Sequence, residues 1–196
     1  MPLPLLRVGV RSVLAAISLI SFVSSLAGSP LADAAEKQEG AVLRELLKQN
    51  AHVNAPQVDG MTALHWAAYH DDFELARLLI EKGAEVRATN HYGVAPLSLA
   101  CQNGNGELVE LLLKKGADPN TSLRGGESAL HTAARNGKPG PVKALIQNGA
   151  DVNAKERRGQ TPLMWASAEG NTEAVKLLLE AGAELNATLS DSGFTP

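Results

Sequence analysis

Residues 159–183, GQTPLMWASAEGNTEAVKLLLEAGA, decide the fold of this chain. Thr161 stands directly before Pro162, which is typical of a helix start: a hydroxyl caps free backbone N–H groups, and proline at the first helical position loses no hydrogen bond. Gly170 then marks a helix end, where a left-handed residue is favoured. Leucines at helical spacing follow until Gly182. The segment therefore predicts two short helices joined by a tight turn.

The same pattern recurs every 33 residues along the chain. A glycine is followed four residues later by a leucine at Gly60 and Leu64, Gly93 and Leu97, Gly126 and Leu130, and Gly159 and Leu163. A fixed period of this length indicates a stacked array, because one unit cannot bury its apolar face without neighbours. The sequence therefore predicts an all-α solenoid with full units at 57–89, 90–122, 123–155 and 156–188.

Hydroxyl side chains are predicted to cap the first helix in three of the four full units. Thr62 and Ser128 each precede a histidine by three residues, so His65 and His131 can complete a reciprocal capping box. Thr161 caps the last unit. Ala95 occupies the capping position in unit 90–122, which we expect to be the least stable internally.

These residues resemble the ankyrin repeat. The resemblance rests on Thr161-Pro162-Leu163, on the run from Leu130 to Ala134, and on Gly149-Ala150-Asp151-Val152-Asn153-Ala154. It implies stacked helix-turn-helix units joined by β-turn loops and a non-catalytic role as a protein–protein interaction scaffold. It also implies that partners dock on a concave side made of the turn tips and the outward positions of each first helix.

The resemblance places candidate partner-binding residues on those tips and helices. They are Tyr69, His91, Tyr92, Arg124, Arg135, Arg157 and Arg158. One end of the surface is aromatic and the other basic, within a chain of net charge -3. This local reversal of sign predicts a protein partner with an acidic surface. The alternatives are a targeting or regulatory module of a longer enzyme or receptor, and a structural envelope protein.

The stretch LADAAEKQEG at residues 31–40 has two interpretations. Its Ala32-Asp33-Ala34 fits the small-residue site at which a signal peptide is cut, and two arginines and an apolar run precede it within residues 1–27. The same stretch fits the 33-residue register as part of a degraded unit, residues 35–54, that lacks a hydroxyl cap.

Both interpretations can hold together. We predict a signal peptide over residues 1–34, with its basic and apolar regions in 1–27 and cleavage near Ala34, followed by an array over 35–196. Residues 189–196 begin a further unit. The predicted location is secreted or periplasmic. A mitochondrial location, or membrane anchoring by an uncleaved signal, are the alternatives.

Composition and motifs argue against several other function classes. The 196 residues are 44% hydrophobic and 4% aromatic, which favours a folded protein with an aliphatic core. A net charge of -3 argues against a protein whose whole surface coats nucleic acid or an anionic membrane. We therefore predict no nucleic-acid partner, and no membrane contact apart from the signal peptide. The single cysteine, Cys101, excludes an internal disulfide. No catalytic motif, phosphate loop or metal-ligand spacing is present, so we predict no enzyme activity, cofactor or metal.

Overall fold

The computed structural model describes residues 28–186, which form ten helices arranged in five consecutive pairs. In chain order the helices are α1 (Pro30–Glu36), α2 (Gly40–Lys48), α3 (Ala63–Tyr69), α4 (Phe73–Glu81), α5 (Pro96–Asn103), α6 (Gly106–Lys114), α7 (Ala129–Asn136), α8 (Pro139–Gln147), α9 (Pro162–Ala168) and α10 (Thr172–Glu180). We number the pairs as units 1 to 5. The predicted all-α architecture is confirmed. Residues 1–27 of the predicted signal peptide 1–34 and the predicted further unit at 189–196 lie outside the described residues.

The first helices of neighbouring units pack against one another, and their leucines and alanines form the core. Leu64, Leu97 and Leu130, spaced 33 residues apart, are each 1% exposed, and Leu163 is 2% exposed. Fully buried alanines on these helices have no side chain beyond a methyl group, so the helix axes can approach closely. Each unit therefore completes the core of the next.

The predicted caps of the first helices are present. Ser128 Oγ accepts from the backbone N–H of His131, and Thr161 Oγ1 accepts from that of Met164, both at 3.4 Å. A ring nitrogen of His65 and one of His131 each accept from the backbone N–H of the cap residue, which completes the capping box. Ala95 provides no side-chain cap for α5, as its chemistry requires.

Unit 1 is more complete than the sequence predicted. Ser29 stands 33 residues before Thr62, and its Oγ accepts from the backbone N–H of Ala32 at 3.3 Å and donates to the carbonyl of Ala55. The expectation that this unit lacks a hydroxyl cap is wrong. The array therefore begins upstream of residue 35, because α1 is already capped at Ser29.

Left-handed residues end the first helices, as predicted. Gly104, Gly137 and Gly170 have φ of 72°, 79° and 68°, and Asp71 takes the same position in unit 2 with φ of 59°. Gln38 fills it in unit 1 with φ of 55°. A single residue in the left-handed conformation ends the helix and turns the chain, so the second helix folds back beside the first. Across residues 28–186, no helix has the length and apolarity that a membrane crossing requires.

Candidate functional site

Turn tips and the exposed ends of the first helices lie side by side, and together we call them the tip surface. Arg135, at the end of α7, lies 3.7 Å from the carboxylate of Glu127 in the preceding turn. The tip surface contains all seven predicted partner-binding residues, and each is exposed: Tyr69, His91, Tyr92, Arg124, Arg135, Arg157 and Arg158. Their exposure leaves the predicted role in partner binding untested.

Backbone bonds hold the turn tips of neighbouring units together. The N–H of His91 donates to the carbonyl of Asp59 at 2.8 Å, and the N–H of Arg157 donates to that of Gly125 at 2.9 Å. The second bond places the tip containing Arg157 and Arg158 directly beside the tip containing Arg124. The basic residues therefore form one strip across units 4 and 5.

Asparagine side chains fix the ends of the first helices. Asn103 donates to the carbonyls of Ala68 and Tyr69, both at 2.9 Å, and Asn171 donates to those of Ala134 and Arg135. These carbonyls are at helix ends and have no partner within the helix. The bonds satisfy them from the next unit and make the tip surface a fixed display.

The arginines at the basic end of the tip surface differ in whether they form ion pairs. The guanidinium of Arg135 lies over the indole ring of Trp165, with its carbon 4.9 Å from the ring centroid, and Glu127 neutralises it. Among residues 28–186, the ion pairs include neither Arg124, Arg157 nor Arg158. The carboxylate of Glu156 accepts from the backbone N–H of Arg158 instead. Of the four arginines, only Arg135 forms an ion pair within residues 28–186.

The aromatic end is a cluster of rings on α3 and its C-terminal cap. Tyr69 packs edge-on against Trp66 and His70, with centroids 5.5 and 5.2 Å away. His70 stacks on Trp66 at 5.9 Å. Tyr69 remains 53% exposed. Tyr92 is 65% exposed on the next turn tip, and the ring contacts found in the described part of the chain do not include it.

His65 and His131 have a second role that the sequence did not reveal. Their Nε2 atoms lie 3.0 Å from the carbonyl of Val94 and 2.9 Å from that of Gln160, each in the next unit. Nε2 must donate there, so Nδ1 is the unprotonated atom that accepts from the cap residue. Burial lowers the pKa of both rings below 6.5, because a charged imidazole is poorly solvated in the core.

Lowering the pH is therefore expected to destabilise the array. Above about pH 6.5 both histidines are neutral in the folded and the unfolded chain, and their contribution to stability is fully present. Below it the unfolded chain takes up protons that the folded chain binds only at lower pH, so the free energy of unfolding falls. Urea denaturation at pH 7.5 and 5.5 measures the loss.

Replacing His131 tests which group is responsible. His131→Ala is expected to lower the free energy of unfolding at pH 7.5 by about 0.5–2 kcal/mol, the range for a lost cap, and to reduce its pH dependence. His91→Ala removes an exposed imidazole and is expected to do neither. Equal denaturation midpoints for the two variants would contradict the capping role.

The surroundings of Cys101 and His70 are those of residues with a structural role. Cys101 is fully buried, and burial raises the pKa of its thiol far above the ordinary value. The ring nitrogens of His70 face Gln38 and the carbonyl of Glu36. In the part of the chain that the structure describes, no group of three or more His, Cys, Asp or Glu residues has metal-binding geometry.

A ladder of side chains between successive units was also missed. Asn120 accepts from the backbone N–H of Asp151 at 2.8 Å and donates to the carbonyl of Gly149 at 3.2 Å. Asn54 of unit 1 and Asn153 of unit 4 form the same bridge to the unit that follows each of them. In unit 2 the position is held by Arg87, which makes a single bond to the carbonyl of Gly116 in unit 3. The signal was the recurrence of asparagine in the 33-residue register.

These features define a helical-repeat protein. A family model described as ankyrin repeats, in three copies, matches residues 31–123 and 97–188. The chain belongs to the ankyrin-repeat family. Ankyrin repeats are generally protein–protein interaction modules, and proteins built from them are typically non-enzymatic scaffolds. The comparison with curated proteins found no match.

Proposed function

We propose that this chain is a non-catalytic scaffold whose tip surface binds an acidic segment of a partner protein. The observation that carries the proposal is the group of three exposed arginines, Arg124, Arg157 and Arg158, on adjacent turn tips. Like charges held side by side repel one another, and a partner carboxylate relieves that repulsion. Their position in a chain of net charge -3 makes the strip a local attractor for acidic groups.

Fixed geometry supports the same proposal. The tips of units 2 and 3, and those of units 4 and 5, are bonded to each other, and the first-helix ends are bonded to the following units, so little ordering is required on binding. Guanidinium groups bind carboxylates through two parallel N–H donors, which adds directional specificity. A rigid strip of arginines therefore suits an extended acidic segment better than a flexible lysine-rich surface would.

Charge reversal on the strip is expected to weaken binding of an acidic probe. A fluorescently labelled peptide of alternating Glu and Gly would be titrated into the array by anisotropy, with a Gln and Gly peptide as the neutral comparison. Arg124→Glu with Arg158→Glu is expected to reduce affinity severalfold, because attraction becomes repulsion. Added salt is expected to weaken binding by the unaltered chain.

Lys143→Glu with Lys176→Glu provides the matched control. These lysines are exposed on the second helices α8 and α10, and their reversal changes the net charge by the same amount. Equal losses from the two double variants, or binding insensitive to salt, would refute the arginine strip.

We further propose that the chain is exported, to the periplasm or the medium, with residues 1–27 as the signal peptide. Arg7 and Arg11 precede an apolar run in the order that export signals use. A cut near Ala34 would fall inside α1, where Ala34 is fully buried. A cut after Ala27 would have the small residues Ser25 and Ala27 at the two positions that matter for cleavage. It would also leave the Ser29 cap and α1 intact.

N-terminal sequencing of the protein recovered from its native host tests this proposal. The expected first residue is Gly28. A chain that still begins at Met1 would contradict export with cleavage. A chain that begins at Ala35 would support export and would contradict cleavage after Ala27, the site that leaves α1 intact.

A further inference from the structure

Two tryptophans occupy the same register position in units 2 and 5, and their surroundings differ. Trp66 and Trp165 are 99 residues apart, three periods of the repeat. The guanidinium of Arg135, from the preceding unit, lies over Trp165 with its carbon 4.9 Å from the ring centroid. Glu127 lies 3.7 Å from that guanidinium. At Trp165, therefore, unit 4 supplies both a cation and a carboxylate to the tryptophan of unit 5.

At Trp66 the register position of Arg135 is held by a carboxylate, Glu36. Trp66 Nε1 donates to Gln57 Oε1 at 2.6 Å. Gln57 Nε2 donates to Glu36 Oε2 and to Asp33 Oδ1, both at 2.8 Å. Gln57 therefore links two carboxylates to the indole N–H, and it uses one oxygen of each. The ion pairs found within residues 28–186 involve neither carboxylate.

The rings beside these carboxylates are already fixed in place. His70 Nε2 donates to the carbonyl of Glu36 at 2.9 Å, and its Nδ1 lies 2.8 Å from Gln38 Nε2. His70 covers one side of Trp66 by stacking, and Tyr69 packs edge-on against both rings. Because hydrogen bonds orient Trp66 and His70, a ligand would meet a surface that needs no rearrangement.

We propose that this cluster, formed by Trp66, Tyr69, His70, Asp33 and Glu36, binds the guanidinium of an arginine in a partner protein. An aromatic face attracts a cation through its quadrupole, and a carboxylate beside it accepts the N–H donors. At Trp165 the same combination is satisfied within the chain by Arg135 of the preceding unit. The inference rests on the proposed function in taking the partner to be a protein, and adds that its chain bears an arginine apart from its acidic segment.

A single-tryptophan variant isolates the cluster. Trp165→Phe leaves Trp66 as the only tryptophan, and its fluorescence would be followed during titration with the peptide acetyl-Gly-Arg-Gly-Arg-Gly-amide. A peptide with citrulline in place of arginine keeps the shape and removes the charge. The arginine peptide is expected to shift or quench the emission, and the citrulline peptide is expected to have little effect. Trp66→Phe reports on Trp165, which Arg135 already covers, and is expected to show no response.

Two further variants connect the response to the cluster. In the Trp165→Phe background, Glu36→Gln and Tyr69→Ala are each expected to weaken peptide binding severalfold. Glu180→Gln makes the same charge change on exposed α10 and is expected to leave it unchanged. Both cluster side chains are exposed, so the folded state should persist, and circular dichroism verifies it for each variant.

The outcomes separate this inference from the acidic-partner proposal. Equal binding of the citrulline peptide, no change at Trp66, or equal effects of Glu36→Gln and Glu180→Gln would overturn the arginine site. Arg124→Glu with Arg158→Glu should not weaken binding of the arginine peptide, because those residues belong to the other end of the surface. Failure of the acidic peptide to bind would contradict the arginine strip alone.

Discussion

An array that begins at Ala35 is expected to be less stable than one that begins at Gly28 by about 3–6 kcal/mol. The seven residues removed include the Ser29 cap and Leu31, which is 1% exposed, together with the fully buried Ala32 and Ala34. Their loss uncovers the apolar side of α3 and leaves α2 without its pair. Guanidinium denaturation of the two purified arrays measures the difference.

A point variant separates lost packing from the other effects of shortening the chain. Leu31→Ala in the longer array is expected to account for about 2–5 kcal/mol, the range for a leucine cavity in a core. If the arrays that begin at Gly28 and Ala35 unfolded at the same denaturant concentration, α1 would contribute nothing to the stability of the fold.

Leu112→Ala is expected to destabilise the array by about 2–5 kcal/mol. Leu112 lies on α6 in the central unit and is fully buried, so the substitution leaves a cavity between neighbours on both sides. Alanine keeps the helix propensity high, which restricts the effect to packing. Unit 3 also lacks a side-chain cap at Ala95, so it has little local stability with which to compensate. Urea denaturation followed by circular dichroism measures the change.

Leu185→Ala is the control for both leucine substitutions. Leu185 is 65% exposed, and its truncation should change the free energy of unfolding by less than about 0.5 kcal/mol. A comparable loss from Leu112→Ala and Leu185→Ala would mean that burial in the central core does not govern stability.

Local signals predicted most of the fold. The 33-residue recurrence of glycine and leucine located the units, and the caps at Thr62, Ser128 and Thr161 located the helix starts. The prediction failed at Ser29 because the first unit was aligned on its leucines and alanines, and the register was not extended back to the cap position. The exposed candidates Tyr92 and Arg124 were predictable because a turn tip faces solvent whatever residue it contains.

The pairing of side chains across units was not predictable in the same way. Arg135 was predicted as a partner-binding residue, and the sequence did not reveal its contacts with Trp165 and Glu127. Glu36 was not among the candidate residues predicted from the sequence, yet Gln57 connects it to Trp66. In both cases the decisive contact joins residues more than 20 positions apart.

The sequence by itself determined the repeat, the helix boundaries and the aliphatic core, because capping, backbone preference and apolar spacing act within a few residues. Only the tertiary structure decided that His65 reaches Val94 and that Asn103 caps the end of α3. It also decided that unit 1 supplies carboxylates near Trp66, where unit 4 supplies a cation to Trp165. The physical reason is that a hydrogen bond or a cation–ring contact depends on distances of a few ångströms, and those distances are set by how neighbouring units stack.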